Sequence, residues 1–136
     1  MPLPDRGKYY RGLLILTGRD RIVDVREREL LLRIGAILDF DKRFCEAAID
    51  DLLHNRHITH DPVVFSETGI AECFLRDAIR LALVDDEVHY HEFAWLRRVA
   101  RANGISGKWL KAELAASHAG ERSLDSCECL EFRQYL

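Results

Sequence analysis

Residues 85–100 read "DDEVHYHEFAWLRRVA" and residues 20–35 read "DRIVDVRERELLLRIG". Laid over one another without a gap, they pair Asp20 with Asp85, Val23 with Val88, Glu27 with Glu92, Leu31 with Leu96 and Arg33 with Arg98. Each copy follows an apolar segment ("YYRGLLILTG", "AIRLALV") and opens another. The repeated unit is thus helix, acidic turn, helix, at a spacing of 65 residues. Two such hairpins packed face to face make a helical bundle.

The rest of the chain fits this reading. Prolines occur only at positions 2, 4 and 62, so nothing breaks a helix between Gly7 and Asp61, and apolar residues recur at three- and four-residue spacing. The pattern predicts a first helix from about Lys8 to Leu16 and a second after Asp24, with Leu30, Leu31, Ile34 and Leu38 on one stripe. A third is predicted after Asp41, carrying Phe44, Ala48 and Leu52. Pro62 and its polar neighbours interrupt the pattern, and Ser66 is the expected N-cap of a fourth helix through Leu83. A fifth is predicted from about Tyr90 to Ala102, closed by Asn103-Gly104, and Ser106 caps a sixth. The expected fold is an all-α bundle of about six or seven helices in one domain over residues 1–136. Repeat one covers about 9–55, a loop 56–66, repeat two about 67–118, and the tail 119–136 reads equally as a last helix or an extended arm.

Composition narrows the function classes. With 48% apolar and 32% charged residues and no apolar run of membrane-spanning length, the chain reads as soluble, without membrane insertion. Its first residues carry no secretory pattern, so the cytoplasm is the expected location. A net charge of −3 gives no basic field to attract nucleic acid. Cys45, Cys73, Cys127 and Cys129 lack the dense spacing of a disulfide framework. No phosphate-binding glycine loop, nucleophile elbow or zinc-protease motif is present.

The chemistry to explain lies in D-x-x-V-x-x-x-E. At ~100° per residue, with Glu27 as zero, Leu30, Leu31, Ile34 and Leu38 fall at about 300°, 40°, 340° and 20°. Glu92 stands in the same relation to Trp95, Leu96 and Val99, so both glutamates point into the apolar stripe. Three kinds of partner would satisfy such a carboxylate. Asp24-x-x-Glu27 has capping-box spacing, whereas the equivalent N-cap of the second copy is His89, a poor capping residue. An arginine such as Arg80 is the second kind of partner. The third is a divalent metal at Asp85 and Glu92, with a degenerate counterpart at Asp20 and Glu27 and with Asp77, Asp86, His89 and His91 as further candidate ligands. Calcium in an EF-hand loop is excluded, because counting from Asp85 places Tyr90 where the loop needs Gly and Leu96 where it needs Glu. Asp77 is predicted on the buried side of its helix with Ile70, Phe74 and Leu81, where an arginine or a backbone group is the usual partner. His54, His57 and His60 read as a solvated helix end rather than as zinc ligands. Arg97, Arg98 and Arg101 read as an outer face or a partner surface.

At "LVDDEVHYHEFAWLRRVARANGIS" the chain resembles the TerB-like family, named for tellurite-resistance TerB proteins. Its signature is an acidic turn, A-D-G-x-[IV]-x-x-x-E, that runs into an amphipathic helix. Asp85, Val88 and Glu92 match it, and Asp86 departs from the usual Gly. The first copy, "GRDRIVDVREREL", matches less well, with Arg21 at the Gly position. The resemblance implies a pseudo-symmetric all-α bundle and a non-enzymatic role as an interaction or sensing module in a bacterial stress response. It also implies proposed metal binding, and partners that are other proteins or copies of the chain. The alternatives from other classes are a divalent-metal hydrolase using the same carboxylates and a structural dimerisation adaptor.

Overall fold

Helix α1 (Leu3–Thr17) and helix α4 (Thr68–Ala82) are each 15 residues long and begin 65 residues apart. The same offset relates α2 (Val25–Ile37) to α5 (Tyr90–Ala102) and α3 (Lys42–His54) to α6 (Gly107–Ala119), all of 13 residues. The computed structural model describes residues 1–18, 23, 25–54, 61–83 and 90–119. Among these the elements are six helices and no strand, and no helix is long and apolar enough to cross a membrane.

The repeat extends to the turns. Helix α5 ends with Gly104 in the left-handed region (φ 74°), Ile105 N–H donating to Ala100 C=O at 2.8 Å and Gly104 N–H to Arg101 C=O at 3.2 Å. Helix α2 ends identically 65 residues earlier, with Asp39 at φ 71°, Phe40 N–H on Gly35 C=O at 2.9 Å and Asp39 N–H on Ala36 C=O at 3.0 Å. Both are Schellman motifs, which satisfy carbonyls the helix end leaves open. The next helix is then capped by a side chain at equivalent positions. Asp41 Oδ1 accepts from Arg43 N–H at 2.8 Å, and Ser106 Oγ from Trp109 N–H at 3.1 Å.

Helices α1 and α4 pack against each other at the centre, with α2 and α3 against α1 and with α5 and α6 against α4. An aromatic chain crosses this seam. Tyr9 meets Phe65 at 5.8 Å and Phe74 at 5.2 Å between ring centroids, and Phe74 meets Trp95 edge-on at 6.2 Å. Trp95 is buried, and its removal to Ala would cost ~3–5 kcal/mol. Close approach of the backbones requires glycine twice. A Cβ on Gly12 would stand 2.6 Å from Phe74 Cζ, and one on Gly35 2.4 Å from Cys45 Sγ.

Three expectations are corrected. Helix α1 starts at Leu3, not Lys8, because Pro4 lies in the first turn, where its missing N–H has no helical partner to lose. Ser66 does not cap α4. Glu67 holds the N-cap position without a side-chain bond, and Ser66 instead turns its N–H and hydroxyl to the buried Asp5 carboxylate, the N–H at 3.0 Å. The stripe of α3 is Cys45, Ile49 and Leu52, which rotates Phe44 outward to 55% exposure.

Residues 61–66, ahead of α4, form a strap held from the end of α5. The Asn103 amide accepts from Phe65 N–H at 2.9 Å and donates to Val63 C=O at 2.8 Å, and it also reaches Val99 C=O at 2.8 Å. One side chain therefore pairs with a backbone acceptor and a backbone donor two residues apart, as a neighbouring strand would.

Candidate functional site

The hinge glutamates lie at matching places in the first turns of α2 and α5, where the positive helix end favours a carboxylate. Glu92 is buried at 9% exposure beside the buried Trp95 and Leu96, while Glu27 is half-buried. The helical-wheel placement of Glu92 is thus observed. His91, one residue earlier, is exposed. Asp20, Asp85, Asp86 and His89 lie outside the described residues, as do His57, His60, Cys127 and Cys129. His54 is exposed at the end of α3, and Cys45 and Cys73 are buried free thiols. Among the described residues, no three His, Cys, Asp or Glu side chains are grouped to hold a metal ion. The described part of each hinge contributes a single carboxylate, fewer than the several oxygens a hard cation requires. A metal centre there depends on Asp20 and Asp85.

Asp77 is fully buried on α4. The Tyr9 hydroxyl of α1 donates to its Oδ2, the Cys73 thiol one turn earlier lies 3.8 Å from the same oxygen, and Arg80 Nη1 stands 3.7 Å from Oδ1. Tyr9 also touches Cys73 Sγ at 3.5 Å. Burial pushes the Tyr9 phenol well above its ordinary value, and the negative charge of Asp77 raises it further. The arrangement keeps the phenol protonated as a permanent donor. Tyr10 follows the same rule in the first unit, where burial first and a hydrogen bond with Cys45 second raise its pKa while its hydroxyl donates to Leu31 C=O at 2.7 Å. Tyr9 was not anticipated as a partner of Asp77. Its signal in the sequence is position, since its counterpart in the repeat is Phe74, the core residue one turn before Asp77.

A second feature lies where α5 turns into α6. Arg97, Arg98 and Arg101, with Ala94, Ile105, Ser106 and Gly107, line a half-open cavity of about 500 Å³. The start of α6 forms one wall, so the partial positive charge of its N-terminus adds to the three guanidinium groups. Among the described residues, Arg97 and Arg101 make no hydrogen bond or ion pair. Elsewhere arginines that bridge helices are matched by acids, as Arg28 is with Asp50 and Arg76 with Glu113, both at 3.4 Å. In comparisons with protein-family models, curated proteins and solved structures, nothing matches this chain.

Proposed function

We propose that the chain is a non-enzymatic interaction or sensing module of the kind the TerB-like resemblance implies, acting in a bacterial stress response in the cytoplasm. The observation that carries this reading is Asp77. The carboxylate at the centre of the bundle is fully buried and turned onto Tyr9 and Arg80, which is a structural use of an acid rather than a catalytic one. Function then falls to the surface and to the hinges, where binding rather than turnover is the natural outcome. Glu92 and Glu27, with Asp85 and Asp20, remain the proposed metal ligands, and other proteins or further copies of the chain the proposed partners.

The test is a calorimetric titration of Mn²⁺, Mg²⁺ and Zn²⁺ into the full chain and into Glu92→Ala, paired with an assay of ester and phosphoester hydrolysis. Saturable heat that Glu92→Ala abolishes makes the module a metal sensor. Equal, featureless heats with a lowered melting temperature in the variant remove the metal and assign Glu92 to the helix end. Turnover that Glu92→Ala removes would replace the module with a hydrolase.

A further inference from the structure

The two halves of the chain share their helix lengths, caps and turns, so each half is a control for the other. A residue the architecture demands should recur 65 positions away, and core residues behave this way: Leu16 and Leu81, Leu31 and Leu96, and Ile34 and Val99 are all buried pairs. The cavity at the α5–α6 turn does not. Where the second half has Arg97, Arg98 and Arg101, the first has Leu32, Arg33 and Ala36. Where the second half has Ala94, Ser106 and Gly107, the first has Glu29, Asp41 and Lys42. The frame is therefore compatible with a charge-balanced surface here, Glu29 and Asp41 offsetting Arg33 and Lys42, and the excess of basic residues is particular to the second half.

Stability does not account for Arg97 and Arg101. Arg97 and Arg101 are four residues apart on one helix, a spacing at which like charges repel. A cation near a helix C-terminus relieves the dipole, but Arg101 alone occupies the last turn, and α2 closes with no basic residue in its last turn. The positive end of α6 opposes the same groups. A concavity lined by three arginines has been assembled in a chain of net charge −3, and among the described residues Arg97 and Arg101 have no acidic partner.

We infer that this cavity binds a phosphorylated small molecule carrying adjacent phosphate groups, held by Arg97, Arg98 and Arg101 and by the first turn of α6. Guanidinium forks match phosphate oxygens in pairs, and three of them balance more charge than one carboxylate supplies. The volume falls in the range of small-molecule sites, and Ala94 and Ile105 offer an apolar wall to the rest of the ligand. The inference gives the proposed sensing module a ligand class, at a place separate from the acidic hinges.

The experiment titrates inorganic pyrophosphate into the full chain by calorimetry at low ionic strength with EDTA present. Wild type should bind one equivalent, with affinity falling steeply as salt rises. Arg97→Gln/Arg101→Gln should bind at least tenfold more weakly while keeping its melting temperature, because both side chains are exposed. Arg33→Gln, the equivalent of Arg98 in the other half, should bind as wild type does. Absence of saturable heat, or equal weakening by Arg33→Gln, would overturn the site. So would binding to anionic phospholipid vesicles without binding of pyrophosphate, which would assign the arginines to a lipid surface. Pyrophosphate recovered as orthophosphate would defeat the non-enzymatic reading and leave the site standing. Absence of binding would remove the site and leave that reading intact.

Discussion

Tyr9 and Phe74 hold the same position in the two halves of the chain, and their rings meet edge to face, 87° apart in plane. Equivalent residues touch in this way only where a pseudo-twofold axis passes between them, so the axis runs through the seam of α1 and α4. Gly12 permits the approach. Gly12→Ala should destabilise the protein by ~1–3 kcal/mol, through the clash of its Cβ with the Phe74 ring. Urea denaturation measures this, and an unchanged midpoint would mean that the seam can open without cost.

Alkaline pH should unfold the protein through its tyrosines. Tyr9 keeps its proton in the fold beyond pH ~10, where the unfolded chain releases it, so its contribution is intact below that pH and is lost above it. The slope is ~1.4 kcal/mol per pH unit for one such group. Tyr10 is shifted in the same direction. Tyrosinate absorbance should therefore appear together with loss of helical circular dichroism, and Tyr9→Phe should flatten the decline in stability above pH ~10.

Asn103 offers a test of the strap. Asn103→Ala leaves Val63 C=O and Phe65 N–H without their partners and should cost ~2–3 kcal/mol. Asn103→Asp keeps the acceptor for Phe65 and loses the donor for Val63, so it should fall between wild type and Asn103→Ala in denaturant.

The two Schellman turns make opposite predictions. Asp39 occupies a left-handed position that costs an L-residue ~1–2 kcal/mol, so Asp39→Gly should stabilise by about 1 kcal/mol. Gly104→Ala should destabilise by a similar amount, since its Cβ meets open space and only the backbone is strained. Melting temperatures of the two variants should move in opposite directions.

Removal of the central carboxylate tests its structural role. Asp77→Ala takes the acceptor from the Tyr9 hydroxyl and the counter-charge from Arg80, and should cost ~3–5 kcal/mol. Full metal or ligand binding in a folded Asp77→Asn variant would confirm that this carboxylate serves only the core.

Periodicity and capping residues made the helical class readable, and the expected bounds of α5 and start of α6 agree with those found. The wheel turned Glu92 and Asp77 inward, where they are found. Its limit is α3, where Phe44 and Cys45 are adjacent and hydrophobicity favours the larger. The bundle buries Cys45 instead, with its sulfur against Gly35, where a Cβ would stand only 2.4 Å from it. The partners of the buried acids were hidden for another reason. Asp5 with Ser66 and Asp77 with Tyr9 are separated by 61 and 68 residues, and no local pattern connects them. The arginine triplet was legible as a charge run, but its cavity appears only once the turn folds α6 back beside α5.

The seam of α1 and α4 has the self-complementary character of a symmetric dimer interface, contained within one chain. Two identical half-length chains would close the same contact with every position doubled. A covalent link releases them from that constraint, because a change in one half no longer forces its twin. Leu32, Arg33 and Ala36 on one side and Arg97, Arg98 and Arg101 on the other are what that release looks like. One half can remain scaffold while the other acquires a specialised face.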